Sequence, residues 1–129
     1  MQISDDAPEW VKEFHTIPRE GRIEIIEKNK KRIEKLLPRI VEFFESKLGD
    51  DLVQLKISNE EGVRGRYYGN ENYNTNAVLL QFFFHNNTRN VMTLKKEIIS
   101  DLKSFFNLDM DYYGMPLDLD FYKATWEKF

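Results

Sequence analysis

The pattern of apolar and polar positions predicts a long amphipathic helix in the first half of the chain. From Arg19 to Leu48 the apolar residues mostly recur at helical spacings, which keeps them on one side of a helix. Pro38 lacks a backbone N–H, so we expect it to kink this helix or to divide it in two. Gly49 is expected to end the helix in the left-handed conformation. A short helix around Trp10 is expected to precede it.

Strand patterns follow in the middle of the chain. Leu52–Ser58 alternates apolar and polar residues, and we expect it to form a hairpin with a second strand at Val63–Tyr68. The Asn-rich segment Gly69–Asn76 is expected to be a loop. Ala77–His85 is apolar on both sides, which is typical of a central strand that is covered on both faces.

The last third of the chain combines helical and mixed patterns. We expect a second helix with Thr93 as its N-cap, running to about Phe106, with Phe105 among its buried residues. A short C-terminal helix is expected near Asp118–Lys128.

These elements predict the α+β class, with a central antiparallel sheet of about three to four strands and helices mainly on one face. The length of 129 residues is close to that of a typical domain, so we expect 1–129 to be a single domain, with 1–7 flexible.

Composition excludes several classes of chemistry. The chain has no cysteine, which excludes disulfides, thiolate zinc sites, iron–sulfur clusters and a cysteine nucleophile. There is no apolar run long enough to span a bilayer and no signal-peptide pattern, so we expect a cytoplasmic protein without membrane contact. No phosphate-binding loop, nucleophile elbow or zinc-protease motif occurs, so an enzyme is not the first expectation.

One segment resembles a calcium-binding loop. Asp109–Asp120 has Asp at the first and third positions of an EF-hand loop, Gly at the sixth and an acid at the last. It departs from that pattern at Tyr113, which has no carboxylate or amide oxygen, at Pro116, and at Asp120, where Glu is usual. We therefore expect neither a metal nor a cofactor.

The net charge of −3 is distributed unevenly. Residues 28–39 contain six basic residues and one acid, whereas both ends of the chain are acidic. The basic block is interpreted first as a solvated helix face, because Glu24 and Glu27 stand four positions before Lys28 and Lys31 and can form ion pairs with them. A nucleic-acid footprint is the alternative.

The C-terminal region alternates acids with large amphipathic rings. Such a surface suits a basic protein partner, because the rings provide anchors and the acids steer association. The candidate partner-binding residues are Asp109, Asp111, Tyr112, Tyr113, Asp118, Asp120 and Tyr122. We therefore expect a small cytoplasmic inhibitor, such as an immunity-type protein that neutralises a nuclease toxin. Alternatively, the rings close the core and the acids cap turns.

A second hypothesis is a metal-independent nuclease, or a domain that binds nucleotides or nucleic acid. Two guanidinium groups, a ring to stack on a base and a general acid–base group would serve such a site. The candidates are Arg64, Arg66, Tyr68 and His85. A structural role for His85 and a solvated strand face are the alternatives for these residues. A third hypothesis is a subunit that completes a larger complex through its aromatic surface.

Overall fold

The computed structural model describes residues 13, 16–58, 65–68, 71–86, 90–110 and 115–123, and of 65–68 and 71–76 it describes the backbone. Its elements in chain order are α1 Arg19–Leu48, a 3-10 turn Gly49–Asp51, β1 Leu52–Ser58, β2 Gly65–Tyr68, β3 Glu71–Asn76, β4 Val78–Phe84, α2 Val91–Phe106 and β5 Leu117–Lys123. The helix predicted around Trp10 and the flexible lead predicted at 1–7 lie outside the described residues.

The long helix is confirmed as α1. Its fully or almost fully buried apolar residues fall on one stripe: Ile26, Ile33, Ile40, Phe44 and Leu48. The helix runs through Pro38 as one element, so of the two predicted effects of this proline, a kink or a division, the division does not occur. The proline side chain is exposed, and buried residues before and after it hold both halves of the helix against the core. Gly49 is the C-cap at a φ of 50°, as predicted, but its ψ of −121° lies outside the left-handed helical region, so the predicted conformation is only partly correct.

The main sheet has the strand order β1-β4-β5. β1 pairs with β4 in antiparallel orientation, and β4 pairs with β5 in parallel orientation. The predicted antiparallel sheet is therefore only partly correct, because the sheet is mixed. The connection from β4 to β5 contains α2, as parallel neighbours require a crossover.

The C-terminal part of the sheet corrects a helix prediction. Residues 117–123, most of which lie in the helix predicted at Asp118–Lys128, form strand β5. Its sequence, Leu-Asp-Leu-Asp-Phe, alternates apolar and polar residues with the period of a strand. β4 supplies the backbone partners along the whole length of β5, from Val78 opposite Leu117 to Phe84 opposite Lys123.

β2 and β3 form a separate two-stranded antiparallel sheet. The predicted hairpin between β1 and the following strand is therefore wrong, since β1 pairs with β4 instead. The predicted loop Gly69–Asn76 is wrong for its last six residues, which form β3. Asparagine disfavours strands by itself, so the backbone pairing with β2 holds this segment extended.

The first strand is less buried than its alternation predicts. A register irregularity between Leu52 and Gln54 breaks the alternation at the start of β1. Leu55 packs against the core, but Val53 and Ile57 are 49% and 40% exposed. The strand is at an edge of the sheet, where fewer neighbours cover its side chains.

The second helix, α2, starts earlier than predicted. Asn90 is its N-cap, and its side-chain oxygen accepts a hydrogen bond of 2.9 Å from the backbone N–H of Met92. Thr93, the predicted cap, lies inside the first turn. Phe105 was expected in the core but is 64% exposed, and Phe106 is buried in its place.

The core lies between α1, α2 and one face of the main sheet. The ring of Phe44 on α1 meets Phe82 on β4 edge-on at 5.4 Å between ring centres. Phe82 is also stacked with Phe121 of β5, at 5.4 Å. Leu94, Ile98 and Leu102 of α2 join the same cluster. The prediction of helices on one face is met in part, by these two helices.

Candidate functional site

The apolar and the acidic side chains of strand β5 lie on opposite faces of the sheet. Leu117 and Phe121 are buried in the core, whereas Asp118, Asp120 and Tyr122 are half-buried. Successive side chains of a strand point to opposite faces, so these last three share the face that is turned away from Phe121. The face they share is the candidate surface, which we call the acidic face.

The strand register extends the acidic face onto β4. Asp118 lies opposite Leu79, Asp120 opposite Gln81, and Tyr122 opposite Phe83. The ring of Tyr122 is stacked on the ring of Phe83, with 4.8 Å between the centres and 11° between the planes. This contact holds the ring of Tyr122 in one orientation.

Two carboxylates stand on this face. The hydroxyl of Tyr122 donates to the Oδ2 atom of Asp120 at 3.4 Å. Asp118 and Asp120 both take part in further polar interactions within the chain. Asp118 and Asp120 are two residues apart on the strand, so they stand about 7 Å from each other, a spacing that two cationic side chains of a partner can match.

Strand β1, on the other side of β4, places a cation on the same face of the sheet. Lys56 is opposite Gln81, which in turn is opposite Asp120. Lys56 is exposed, and one strand separates it from Asp120, which corresponds to about 10 Å across the sheet. Negative charge is therefore concentrated at the β5 side of the acidic face rather than spread across the sheet.

The remaining predicted partner-binding residues lie elsewhere or outside the described chain. Asp109 follows α2 and forms an ion pair of 3.7 Å with Lys103. Asp111, Tyr112 and Tyr113 lie outside the described residues. The structure thus brings together Asp118, Asp120 and Tyr122 from that set.

Part of the alternative interpretation of the C-terminal rings is correct. Met115 and Phe121, which alternate with the acids in the sequence, are core residues. Phe121 is stacked on Phe82 and Phe84, at 5.4 and 6.4 Å. Hence one set of C-terminal side chains builds the core while Tyr122 belongs to the acidic face.

The candidate nucleic-acid residues are not gathered by the main sheet. His85 is exposed and directly follows β4, and its backbone N–H donates to the carbonyl of Asp51. Arg66 and Tyr68 are on β2, in the other sheet, and Arg64 lies outside the described residues. The predicted pairing of β1 with the following strand would have made β2 part of the same sheet as His85, and that pairing is wrong.

A groove between α1 and α2 is not predicted by the sequence. It has a volume of about 540 Å³ and is lined by Glu42, Phe43, Ser46, Lys47 and Phe105. Phe43 contacts Phe105 at 5.1 Å and Phe106 at 5.4 Å between ring centres. Lys47 forms an ion pair with the mostly buried Asp101. The sequence does contain an indication of this groove. Phe105 and Phe106 are consecutive at the end of α2, and since only one of them can face the core, the other must lie at the surface.

Among the described residues, no group of three or more His, Asp or Glu side chains is placed to hold a metal ion. In the same part of the chain, no helix has both the length and the apolar character needed to cross a membrane.

Comparison of the chain with protein-family models, with curated proteins and with solved structures gives no match.

Proposed function

We propose that this chain is a small cytoplasmic binding protein, an inhibitor of the immunity type, that neutralises a basic partner such as a nuclease toxin. The observation that carries the proposal is the placement of Asp118, Asp120 and Tyr122 on one face of β5. Carboxylates beside an ordered ring are the combination that steers a cationic partner and then anchors it.

The position of this face on the fold supports the proposal. β5 is an edge strand of the main sheet, and its opposite face is fixed by the stacked rings of the core. A rigid strand holds its side chains in place, so little conformational entropy is lost when a partner binds. Tyr122 is held by Phe83 in the same way.

The charge on the acidic face suits a nuclease as the partner. Nucleases bind a phosphate backbone with Lys and Arg, and the two carboxylates on this strand present negative charge to the same side chains. Binding there would cover the cationic site and exclude the substrate. Lys56, on strand β1, would lie at the rim of such an interface.

The proposal is tested with charge-neutral, isosteric variants. The double variant Asp118→Asn and Asp120→Asn keeps an oxygen acceptor at each position, so internal hydrogen bonds of these residues are conserved as far as possible. Its matched control is Glu45→Gln with Asp50→Asn, which removes the same charge from two exposed residues away from β5. Circular dichroism would establish that both variants are folded.

The measurement is inhibition of, and binding to, a panel of basic nucleases, which should include any basic protein encoded next to this chain. The expected result is tight binding by the wild type and by the control, and a Kd at least about tenfold weaker for the β5 variant, equivalent to about 1.4 kcal/mol. The affinity of the wild type should also fall as salt is added. Equal affinity of the β5 variant and the control would contradict the proposal, and so would the lack of any complex at low ionic strength.

A further inference from the structure

The basic block of the sequence contributes to a cleft beside the N-terminal half of α1. The cleft has a volume of about 450 Å³, which is in the range of small-molecule sites. Of the described residues, those that line it all belong to α1, and its charged lining residues are Glu24, Glu27, Lys28, Lys31, Arg32 and Lys35. This surface is on a different element from the acidic face, and it stands independently of the proposed function.

The ion pairs expected from the sequence are not formed along this cleft. Glu24 and Glu27 stand at the helical spacing that would pair them with Lys28 and Lys31. Within the described part of the chain, however, Lys28, Lys31 and Lys35 make no ion pair. The predicted ion pairs are therefore not formed, and Lys28, Lys31 and Lys35 are exposed on the helix surface, where their amino groups can bind an anion.

Arg32 gives the cleft a fixed cation. Both terminal nitrogens of its guanidinium group donate to the carbonyl oxygen of Asn107, each at 3.1 Å. Asn107 is the C-cap of α2, so Arg32 ties the end of α2 to the wall of the cleft. Arg32 is half-buried as a residue, its guanidinium is held in place by these bonds, and its positive charge adds to that of the lysines around it.

The charges of the cleft are ordered along the helix. The two carboxylates are at the N-terminal end, and the cations follow from Lys28 to Lys35, a span of about 10 Å along the axis. A chain of two or three phosphates fits such a span, and Lys and Arg are the usual partners of phosphate oxygens. Carboxylates accept hydrogen bonds from hydroxyl groups, as they do from ribose in nucleotide sites.

We propose that this cleft binds a nucleotide, with its phosphate chain at the lysine end and its sugar hydroxyls donating to the two glutamates. A phosphate backbone that continued past the lysines toward Glu24 and Glu27 would meet like charges. A ligand that has its negative charge at one end and hydroxyl donors at the other matches the order of charges, and this favours a nucleotide over an extended nucleic acid.

The test is isothermal titration calorimetry of the full chain at low ionic strength with three probes: ATP, inorganic triphosphate and a short oligodeoxythymidine. The variant Lys31→Gln with Lys35→Gln removes two cations from the cleft. The matched control, Lys56→Gln with Lys96→Gln, removes two exposed cations elsewhere. Arg32 is left intact because it also holds α2, and circular dichroism establishes that each variant is folded.

The lysine variant is expected to bind ATP and triphosphate at least about tenfold more weakly than the wild type, while the control changes less than about twofold. Equal binding by the lysine variant and the control would overturn the proposal. So would the absence of a heat of binding with ATP and triphosphate for the wild type. Tighter binding of the oligonucleotide than of ATP would also overturn it, in favour of single-stranded nucleic acid.

A second variant tests the orientation of the ligand. Glu24→Gln with Glu27→Gln should weaken the binding of ATP several-fold, because the carboxylate acceptors of the sugar hydroxyls are lost. The same variant should bind inorganic triphosphate at least as tightly as the wild type, because two repelling charges are removed. Unchanged binding of ATP would overturn the assignment of the glutamate end to a sugar.

Discussion

The two faces of β4 differ in their burial although the strand itself is apolar on both. On one face Leu80, Phe82 and Phe84 are fully buried under the two helices. On the other face Leu79 and Gln81 are half-buried, and Phe83 is buried with its ring stacked on that of Tyr122. The difference between the faces therefore comes from the neighbours of β4 rather than from its own composition.

The parallel neighbour β5 provides most of that difference. Its Leu117 and Phe121 extend the core face, and its Asp118 and Asp120 extend the other. A strand with period-two alternation thus adds apolar area to one side of the sheet and charge to the other. The comparison shows how one sheet can keep a rigid apolar core on one side and present carboxylates on the other.

The largest expected effect is on the core face. Phe82→Ala removes a fully buried ring that contacts Phe44, Phe84 and Phe121, so the free energy of unfolding should fall by about 3–5 kcal/mol. Urea denaturation followed by circular dichroism measures this loss. A change below about 1 kcal/mol would mean that the stacked rings do not form the core.

A smaller loss is expected on the acidic face. Tyr122→Ala removes a half-buried ring and its stacking contact with Phe83, so we expect a loss of about 1–2 kcal/mol in the same denaturation experiment. Tyr122→Phe retains the stacked ring and should stay within about 0.5 kcal/mol of the wild type. If Tyr122→Ala cost as much as Phe82→Ala, the two faces would contribute equally to stability and the contrast between them would be lost.

The smallest effect concerns the helix that covers the core face. Asn90→Ala removes the acceptor of the Met92 N–H and should destabilise the protein by about 1 kcal/mol. Thr93→Ala is the matched control, since the exposed Thr93 is inside the helix and should be within about 0.5 kcal/mol of the wild type. The reverse order of the two losses, in thermal or urea unfolding, would restore Thr93 as the cap.

The sequence predicted the elements with strong periodicity. The stripe of α1 and the apolar run of β4 both follow from side-chain patterns that require burial, and both were located correctly. β5 was misinterpreted as a helix because Asp is common at helix starts and rare in strands, although the segment alternates. β3 was missed because its Asn-rich sequence has no apolar alternation at all.

From the sequence, the residues of the acidic face could be named as candidates, but their placement on one face could not be predicted. The predicted residues included Asp118, Asp120 and Tyr122, which share the acidic face. They also included Asp109, which follows α2 and forms an ion pair with Lys103 of that helix. Which of the C-terminal rings are buried depends on the strand register, and a shift of one residue would exchange Phe121 with Tyr122. Likewise, that Lys28 and Lys31 form no ion pair with another described residue could not be deduced from helical spacing, which shows only that such pairs are within reach.

By itself, the sequence determined the α+β class, the long helix and the central strand, and it excluded thiol chemistry. These properties follow from composition and from the spacing of residues within a single segment, so they do not depend on contacts between distant segments. Only the tertiary structure decided that β1 pairs with β4, that β4 and β5 are parallel, and that two aspartates and a tyrosine share one face of the sheet. Strand pairing joins segments far apart in the chain, and it is selected by the burial of the whole core rather than by any local pattern.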